Sequence, residues 1–158
     1  MDLHLKDKRA FVAGGSRGLG HAVARGLAME GCRVAINGRD ESKLRAAAAK
    51  MAGESGSEVL GLPGDVSDAS VPAGLIDAVV KALGGLDLLV TNAGGPPAGS
   101  FESFDESAWR SALDLAFLSH VRLIRAALPH LRRSKAASVL TMTSYTVKQP
   151  LPNLLLSN

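Results

Sequence analysis

The chain has 158 residues, of which 46% are apolar and 21% charged, as expected of one globular domain with a proper core. The net charge of +3 fits a phosphorylated ligand, but no basic run is interleaved with aromatic residues, so nucleic-acid binding is not indicated. We expect neither a signal peptide nor a membrane span, because no apolar run has the length or position of either. Cys32 is the one cysteine, which excludes an internal disulfide and favours a cytoplasmic location.

The first functional pattern is a glycine-rich turn between a predicted strand and a predicted helix. Residues 10–13 are continuously apolar, glycines follow at Gly14, Gly18 and Gly20, and residues 19–30 have helical periodicity. Backbone N–H groups at such a helix start face an anion, and the helix dipole adds positive potential there. The pattern predicts a phosphate cradle. Its spacing differs from the usual dinucleotide fingerprint, so a tight turn that binds nothing is the alternative.

Strand and helix patterns alternate along the rest of the chain. Short apolar runs predict four more strands, at residues 33–37, 58–62, 86–91 and 138–143. Helical periodicity predicts three more helices, over residues 41–51, from 67 or 68 to 83, and from 105 or 107 to 132. This alternation is typical of an α/β fold, in which helices cover both faces of a parallel sheet. No linker or repeat divides residues 1–158, which we therefore treat as a single domain.

Several details of these helices are specific. Asp40 is the expected N-cap of the second helix, which should end near Gly53. Ser67 or Asp68 is the expected N-cap of the third helix. The fourth helix should run without interruption, and its apolar side chains recur at Leu113, Ala116, Phe117, Val121, Ile124 and Leu128.

Polar or glycine-bearing segments follow the predicted end of every strand. The carboxyl ends of parallel strands meet at one edge of a sheet, and ligands of open α/β sheets bind outside that edge, so these segments should form one site. The segments are residues 14–20, Asn37-Gly38-Arg39, Asp65-Val66, Asn92-Ala93-Gly94 and Ser144.

Together these motifs resemble the short-chain dehydrogenase/reductase family, particularly its 3-oxoacyl-carrier-protein-reductase-like members, over residues 6–144. The resemblance implies a Rossmann-type doubly wound parallel sheet in the order 3-2-1-4-5, with helices on both faces. It also implies a bound dinucleotide, a small carbonyl or alcohol substrate, and a homo-oligomer that pairs through the helix containing Trp109. The glycine turn resembles the family's cofactor loop, Asp65-Val66 the pair that touches adenine, and Asn92-Ala93-Gly94 the motif after its fourth strand. The cofactor-binding residues so implied are Gly14, Ser16, Arg17, Gly18, Leu19, Gly20, Asp65, Val66, Asn92, Ala93 and Gly94.

The end of the second strand indicates which cofactor is expected. An acidic residue there would hydrogen-bond the ribose 2′-hydroxyl and repel a 2′-phosphate, but Asn37-Gly38-Arg39 stands in its place. Arg17 adds a second guanidinium from the glycine turn, and two such groups favour a 2′-phosphate through charge-assisted hydrogen bonds. We therefore predict NADP(H) rather than NAD(H), with Asn37 and Arg39 among the cofactor-binding residues. A solvated Arg39 that binds nothing is the alternative.

The catalytic residues that the resemblance implies are only partly present. The family's reaction needs a serine, a tyrosine followed by a lysine, and an asparagine in the long helix. Ser144 fits the serine. Counting along the motif places Ala116 at the asparagine and Ser157 at the tyrosine, and the lysine position falls beyond the last residue. Tyr145, with Lys148 nearby, is a weaker substitute for the tyrosine because it directly adjoins Ser144.

The chain thus resembles the first two-thirds of such a reductase, without its substrate lid. We predict NADP(H)-dependent carbonyl or alcohol oxidoreduction by the parent protein, and little or no turnover by residues 1–158 alone. The alternatives are a non-catalytic dinucleotide-binding module and a purely structural assembly. No metal site is expected, because His4, His21 and His130 lack partners at metal-ligand spacing. His120 is expected at the surface or at a subunit contact, and a catalytic base is the weaker alternative for it.

Overall fold

Five parallel strands form the centre of the chain, which the computed structural model describes from residue 2 to residue 158. The strands are β1 (Arg9–Val12), β2 (Arg33–Gly38), β3 (Val59–Pro63), β4 (Leu88–Thr91) and β5 (Ser138–Thr141). They lie in the order β3-β2-β1-β4-β5, and every neighbouring pair is parallel. The predicted α/β fold and strand order are confirmed. Because the order reverses between β1 and β4, a crevice is expected at the carboxyl ends of these two strands.

Helices cover both faces of the sheet. They are α1 (Gly18–Met29), α2 (Glu41–Ser55), α3 (Val71–Leu83), α4 (Glu106–Leu113) and α5 (Ser119–Leu131). Successive side chains of β1 enter two separate cores, since neighbours along a strand point to opposite faces. Phe11 packs with residues of α3 and α5, whereas Ala10 and Val12 pack with residues of α1 and α2. Burial on both faces explains why the strands are continuously apolar.

The second helix begins as predicted but ends later. Asp40 Oδ1 accepts a hydrogen bond from the Lys43 N–H at 3.0 Å, which is the expected N-cap. The predicted end near Gly53 is wrong, because α2 continues to Ser55 and is capped by Gly56, which adopts a left-handed φ of 70°. An interior glycine destabilises a helix by only about 1 kcal/mol. Packing of the helix face that contains the buried Met51 is enough to offset this penalty, so the helix continues past Gly53.

The third helix begins later than its predicted caps, so the assignment of Ser67 or Asp68 as N-cap is wrong. Asp68 Oδ1 accepts hydrogen bonds from the backbone N–H and the hydroxyl of Ser70, at 2.8 and 2.7 Å. The carboxylate therefore closes a local turn before the helix instead of capping it. α3 starts at Val71, followed by Pro72, which is favourable in a first turn because it has no N–H to satisfy.

The long helix that follows Asp105 is interrupted. Asp105 caps it by accepting a hydrogen bond from the Ala108 N–H at 2.9 Å. Between α4 and α5, however, Asp114–Leu118 form a π-helical segment. The prediction of an uninterrupted α-helix is therefore wrong. Apolar periodicity cannot separate one π turn from one α turn, and such segments are frequent at functional sites.

The apolar residues predicted along this helix lie mainly on its exposed side. Leu113 and Phe117 are 54% and 60% exposed, and Val121 and Leu128 are exposed as well. The side that packs against the rest of the protein is formed by Ala112, Ser119, His120, Leu123, Ala127 and Leu131. The helix thus has apolar side chains on two sides. Its apolar periodicity correctly predicted a helix here but did not show which side of that helix is buried.

A partly buried ion pair fastens β1 to the segment before β4 at the amino-terminal edge of the sheet. The Asp87 carboxylate accepts hydrogen bonds from Arg9 Nε and Nη2 at 2.8 Å each, and from the Ser134 hydroxyl at 2.6 Å. The Arg9 guanidinium holds the pKa of Asp87 well below its ordinary value. The resulting stabilisation is fully present above the unfolded-state pKa of about 3.9 and is lost as the pH falls toward the folded-state pKa.

We expect Asp87→Asn to lower the free energy of unfolding by about 3 kcal/mol, because it leaves the partly buried Arg9 guanidinium without its charge partner. Urea denaturation at pH 7, followed by circular dichroism, measures this loss. Glu106→Gln is the matched control, since the pair of Glu106 with Arg110 is exposed and such pairs contribute little. Equal losses in the two variants would contradict the importance of the Arg9–Asp87 pair.

Candidate functional site

The predicted site segments follow the carboxyl ends of the five strands. The glycine turn follows β1, Arg39 comes directly after β2, and Asp65 comes after β3. Asn92 follows β4, and Ser144 lies three residues after the end of β5. Since all neighbouring strands are parallel, these segments share one edge of the sheet.

The glycine turn is tight on its inner side and open on its outer side. Gly14 and Gly18 have φ values of 61° and 62°, in the left-handed region that favours glycine. Gly20 is required for a different reason, because a Cβ there would lie 2.4 Å from the Gly14 carbonyl oxygen. A Cβ on Gly18 would meet nothing within 4 Å. The backbone at Gly18 therefore faces open space at the start of α1.

The other residues of the turn differ in their exposure. Arg17 immediately precedes α1, and its side chain is exposed. Leu19 is 73% exposed and lines the cleft described below. Ser16 is half-buried beside Gly38, where an added Cβ would lie 3.0 Å from Ser16 Oγ. Arg17 and Leu19 are thus the side chains of the turn that a ligand can reach.

Asn92 joins the end of β4 to the glycine turn. Its Nδ2 donates to the carbonyl oxygens of Ala13 and Gly14, at 3.3 Å each. A Cβ on Gly14 or Gly20 would come within 2.5 or 2.8 Å of this nitrogen, so the carboxamide fits only because both positions are glycine. Ala93 is half-buried and Gly94 is exposed, and both line the cleft together with Asn92.

Asn37 and Arg39 have different surroundings at the end of β2. Asn37 is 2% exposed, and its Nδ2 donates to the carbonyl oxygens of Leu62 and Gly64 at 3.0 Å each. This carboxamide braces β3, a role that the sequence did not indicate. The Arg39 side chain is 72% exposed, with Nη1 4.0 Å from Asp65 Oδ2. Arg39 is therefore the accessible polar group at this strand end.

Asp65 is half-buried and Val66 is buried. Asp65 Oδ1 accepts hydrogen bonds from the N–H and hydroxyl of Ser67, at 3.0 and 2.7 Å. This local turn leaves Oδ2 directed toward Arg39. Val66 lies in the core beside α3, and so it anchors the segment.

A cleft of about 710 Å³ opens at this edge of the sheet. The long helix contributes largely apolar side chains to its wall, including Trp109, Leu113 and Phe117. The segments after β4 and β5 contribute Asn92, Ser144 and their neighbours, and the last residues of the chain, Leu156, Ser157 and Asn158, also lie in the wall. The cleft is thus predominantly apolar, with few polar groups.

Ser144 and Ser157 are linked through a buried threonine. The Thr146 hydroxyl is 2.8 Å from Ser144 Oγ and 2.8 Å from the Ser157 carbonyl oxygen. Thr146 is 1% exposed, and its N–H also donates to Ser144 Oγ at 3.2 Å. The structure therefore brings together the residues at the expected serine and tyrosine positions.

The candidate substitutes for the missing catalytic residues differ in whether they line the cleft. Tyr145 lines the cleft and is 65% exposed. Lys148 is exposed and does not line the cleft. Ala116 lines the cleft from the π segment, where its methyl group offers no hydrogen bond. The Tyr145–Lys148 pair therefore does not converge on the cleft.

His120 is buried in the wall of the cleft, so its expected position at the surface or at a subunit contact is wrong. It is 8% exposed, and its Nδ1 lies 2.8 Å from Thr91 Oγ1, which in turn lies 3.1 Å from Thr141 Oγ1. Burial lowers the pKa of the imidazole. His120 is one helical turn from Ala116, and this spacing could have predicted from the sequence that His120 lies at the site.

Three further observations concern the rest of the molecule. A depression of about 490 Å³ at the amino-terminal edge of the sheet, lined by residues such as Lys6, Glu30 and Arg33, contains none of the predicted site residues. Within residues 2–158, no three histidine, cysteine, aspartate or glutamate side chains are grouped so that they could hold a metal ion. Over the same range, no helix combines the length and apolar character that crossing a bilayer requires.

Comparison with known proteins gives consistent matches. A family model for short chain dehydrogenases matches residues 8–156. Dehydrogenase/reductase SDR family member 4 from Bos taurus is 31% identical over 151 residues, which are 95% of this chain and 54% of that protein. The chain therefore spans about half the length of the curated relatives it matches.

Solved structures show the same fold. L-Sorbose reductase from Gluconobacter frateurii, complexed with NADPH and L-sorbose, has a TM-score of 0.96 and 28% identity, over 99% of this chain and 60% of that one. An NADPH-bound short chain oxidoreductase from Pseudomonas aeruginosa PAO1, which contains an atypical catalytic center, has a TM-score of 0.90 and 31% identity. That match covers 96% of this chain and 61% of the other.

We expect Gly20→Ala to destabilise the protein by about 2 kcal/mol, because its Cβ would displace the Gly14 carbonyl and the Asn92 carboxamide. Gly26→Ala is the matched control in the same helix. A Cβ there would meet nothing within 4 Å, so this variant should gain roughly 0.5–1 kcal/mol from better helix propensity. Chemical denaturation measures both changes. A stabilised Gly20→Ala variant would contradict the close approach.

Proposed function

Because the chain belongs to the short-chain dehydrogenase/reductase family, we propose that the full-length protein transfers hydride between NADP(H) and a small carbonyl or alcohol substrate. The observation that carries this proposal is the open glycine turn, braced by Asn92, beside a cleft that also contains Ser144. The NADPH complexes of L-sorbose reductase and of the Pseudomonas aeruginosa oxidoreductase support the choice of cofactor. An acyl-type substrate, as the likeness to 3-oxoacyl-carrier-protein reductases implies, is the narrower form of the proposal.

The chain's own residues fit a dinucleotide at this edge. Backbone at Gly18 and Gly94 faces open space, since a Cβ at either position would meet nothing within 4 Å. Arg17, the N-cap of α1, makes no side-chain capping bond, which leaves the first backbone N–H groups of the helix available to a phosphate. Asp65 and Val66 are proposed to lie beside the adenine. The bound cofactor would supply the hydride.

Arg17 and Arg39 are the proposed ligands of the cofactor's 2′-phosphate. Both side chains are exposed, and they follow the ends of the adjacent strands β1 and β2. Asp65 is a weak competitor for Arg39, because their 4.0 Å separation is long for an ion pair and both groups are solvated. A 2′-phosphate offers two guanidiniums stronger charge-assisted hydrogen bonds.

Ser144 is the proposed group that orients the substrate oxygen. Thr146 holds its hydroxyl through two hydrogen bonds, so Ser144 presents a fixed position to the cleft. Trp109, Leu113 and Phe117 give the same cleft a largely apolar wall. These features together favour a small, uncharged carbonyl compound.

A non-catalytic dinucleotide-binding module is the second candidate. Ala116 and Ser157 favour it, because they replace the asparagine and tyrosine that the family's proton transfer uses. NADPH oxidation by the full-length protein, measured with a panel of ketones, separates the two functions. Turnover supports the oxidoreductase, whereas tight NADPH binding without turnover supports the module. Residues 1–158 alone are expected to show little turnover.

We also propose that the protein is a homo-oligomer, of cytoplasmic location, that pairs through the exposed apolar side of its long helix. Val121 and Leu128 are 43% and 38% exposed on that side and do not line the cleft, and exposed apolar patches mark interfaces. Sedimentation velocity of the full-length protein at micromolar concentration should give a dimer or larger species. A monomer would contradict this proposal.

We expect Arg39→Ala to weaken NADPH binding by about tenfold or more and to change NADH binding little, because a charge-assisted hydrogen bond contributes roughly 1.5–3 kcal/mol. Arg17→Ala should act in the same way. Arg45→Ala is the control, since Arg45 pairs with Glu41 on α2 and should affect neither cofactor. Isothermal titration calorimetry with both cofactors measures these affinities. Tighter binding of NADH than of NADPH by the unmodified protein would refute the assignment.

A further inference from the structure

His120 is a buried titratable group in the wall of the cleft, and the family resemblance gives it no role. We propose that His120 is the group that exchanges a proton with the substrate oxygen in this protein. The proposal rests on the proposed oxidoreductase function, and it assigns to His120 the acid–base task for which the expected tyrosine is missing.

The position of His120 on the long helix brings it to the cleft. It comes four residues after Ala116, across the boundary between the π segment and α5, and both residues line the cleft. Helical side chains lean toward the N-terminus of their helix, so the imidazole is directed toward the turn that carries Ala116. A methyl group at Ala116 occupies little of the space between the imidazole and the open cleft.

The hydrogen bonds of His120 leave one ring nitrogen for the substrate. Nδ1 is engaged by Thr91 Oγ1 at 2.8 Å, which fixes the plane of the ring. Within residues 2–158, Nε2 makes no hydrogen bond and is not one of the fully buried atoms without a partner, so it is accessible. Because His120 lines the cleft, we place Nε2 on the cleft side of the ring. A ring held in this way through one nitrogen is typical of histidines that transfer protons through the other.

The hydroxyls of Thr91 and Thr141, behind the ring, can satisfy Nδ1 by hydrogen bonding in either protonation state of the imidazole. Thr91 is fully buried, and its Oγ1 lies 3.1 Å from Thr141 Oγ1. A hydroxyl both donates and accepts, so Thr91 can accept a hydrogen bond from Nδ1–H while it donates to Thr141, or donate to Nδ1 while it accepts from Thr141. The imidazole can therefore change tautomer or charge without leaving a buried group unpaired.

His120 is also the appropriate titrating group in the cleft. Apart from His120, the one side chain of the lining that ionises is Tyr145, which is 65% exposed at the rim. Burial lowers the pKa of His120, so the ring is predominantly neutral at pH 7 and able to accept a proton.

The ionisable groups on or directly before the elements packed against α5 are Asp77 and Lys81 of α3, Asp114, which pairs with Arg122, and Asp87, which pairs with Arg9. None of them hydrogen-bonds to the His120 ring within the described part of the chain.

The proton and electron balance of the step is simple. In reduction, the carbonyl carbon receives the hydride that NADPH carries, and the electron pair of the C=O π bond moves to the oxygen. That oxygen takes a proton from Nε2 of the imidazolium form of His120, which is the minor form at pH 7 and becomes more populated as the pH falls. Solvent later restores the proton to the ring. In oxidation, neutral Nε2 accepts the alcohol proton as the hydride leaves carbon for NADP⁺.

The first test is a ring titration by NMR in the full-length protein. The His120 signal is identified by its absence from His120→Gln, and we expect it to titrate below the ordinary value of about 6.5 and to shift when NADPH is added. His130, on the same helix but outside the cleft lining, should not respond to NADPH. A His120 titration that NADPH leaves unchanged would place the ring outside the reacting space and overturn the proposal.

The second test is the pH dependence of kcat with a ketone that the full-length protein reduces. The pH profile of kcat for the unmodified protein should have a limb at the pKa found for the His120 ring. His120→Gln should lack that limb and should have a kcat about 100-fold lower. His130→Gln is the matched control and should keep both. A His120→Gln enzyme that retains the limb and full kcat would refute the assignment.

Variants of Thr91 keep the test decisive if His120→Gln does not fold. Thr91→Val removes the hydroxyl behind the ring, so it should move the ring pKa and the kinetic limb together, and Thr91→Ser should restore both. A limb that moves while the ring pKa stays constant would overturn the proposal. A protein that binds NADPH but reduces no ketone refutes the proposed function, whereas the NMR titration in its NADPH complex still decides whether His120 faces the reacting space.

Discussion

The approach of the Asn92 carboxamide to the glycine turn is the contact on which the arrangement of the site depends. Its Nδ2 reaches two carbonyl oxygens after β1 because Gly14 and Gly20 have no side chains to exclude it. This contact ties the ends of β1 and β4 together at the place where the strand order reverses. The crevice between those strands therefore has a defined width, and the glycine turn and the cleft keep a constant position relative to one another.

Local pattern was sufficient to predict the α/β class and most of the helices and strands, whereas the strand order followed from the family resemblance. Continuous apolar runs marked the strands, since both faces of the sheet are buried, and Asp40 and Asp105 marked two helix starts because their side chains accept from backbone N–H groups three residues later. Asn37 shows where this reasoning stops. Its two hydrogen bonds reach carbonyl oxygens more than twenty residues away, which no local pattern of residue types contains.

The long helix shows the second limit of sequence reasoning, because it carries apolar side chains on two sides. Spacing alone could not decide that Leu123 is buried and Phe117 exposed, nor that a π segment separates α4 from α5. His120 was misplaced for the same reason. Counting along a motif identified Ala116 and Ser157 as departures from the family pattern, but it could not show that a buried imidazole lies one turn from Ala116.

The Arg9–Asp87 pair lies at the edge of the sheet opposite the cleft, so an ion pair fastens the strands at one end and the proposed cofactor site lies at the other. Its hydrogen bonds hold β1 and the segment before β4 without using any residue of the glycine turn or of the cleft wall. This fastening is independent of the Asn92 contact that ties the same two strands together at the cleft edge. Substitutions at the exposed residues of the cleft edge, such as Arg17 and Arg39, can therefore alter the proposed binding site while both ties between the strands remain intact.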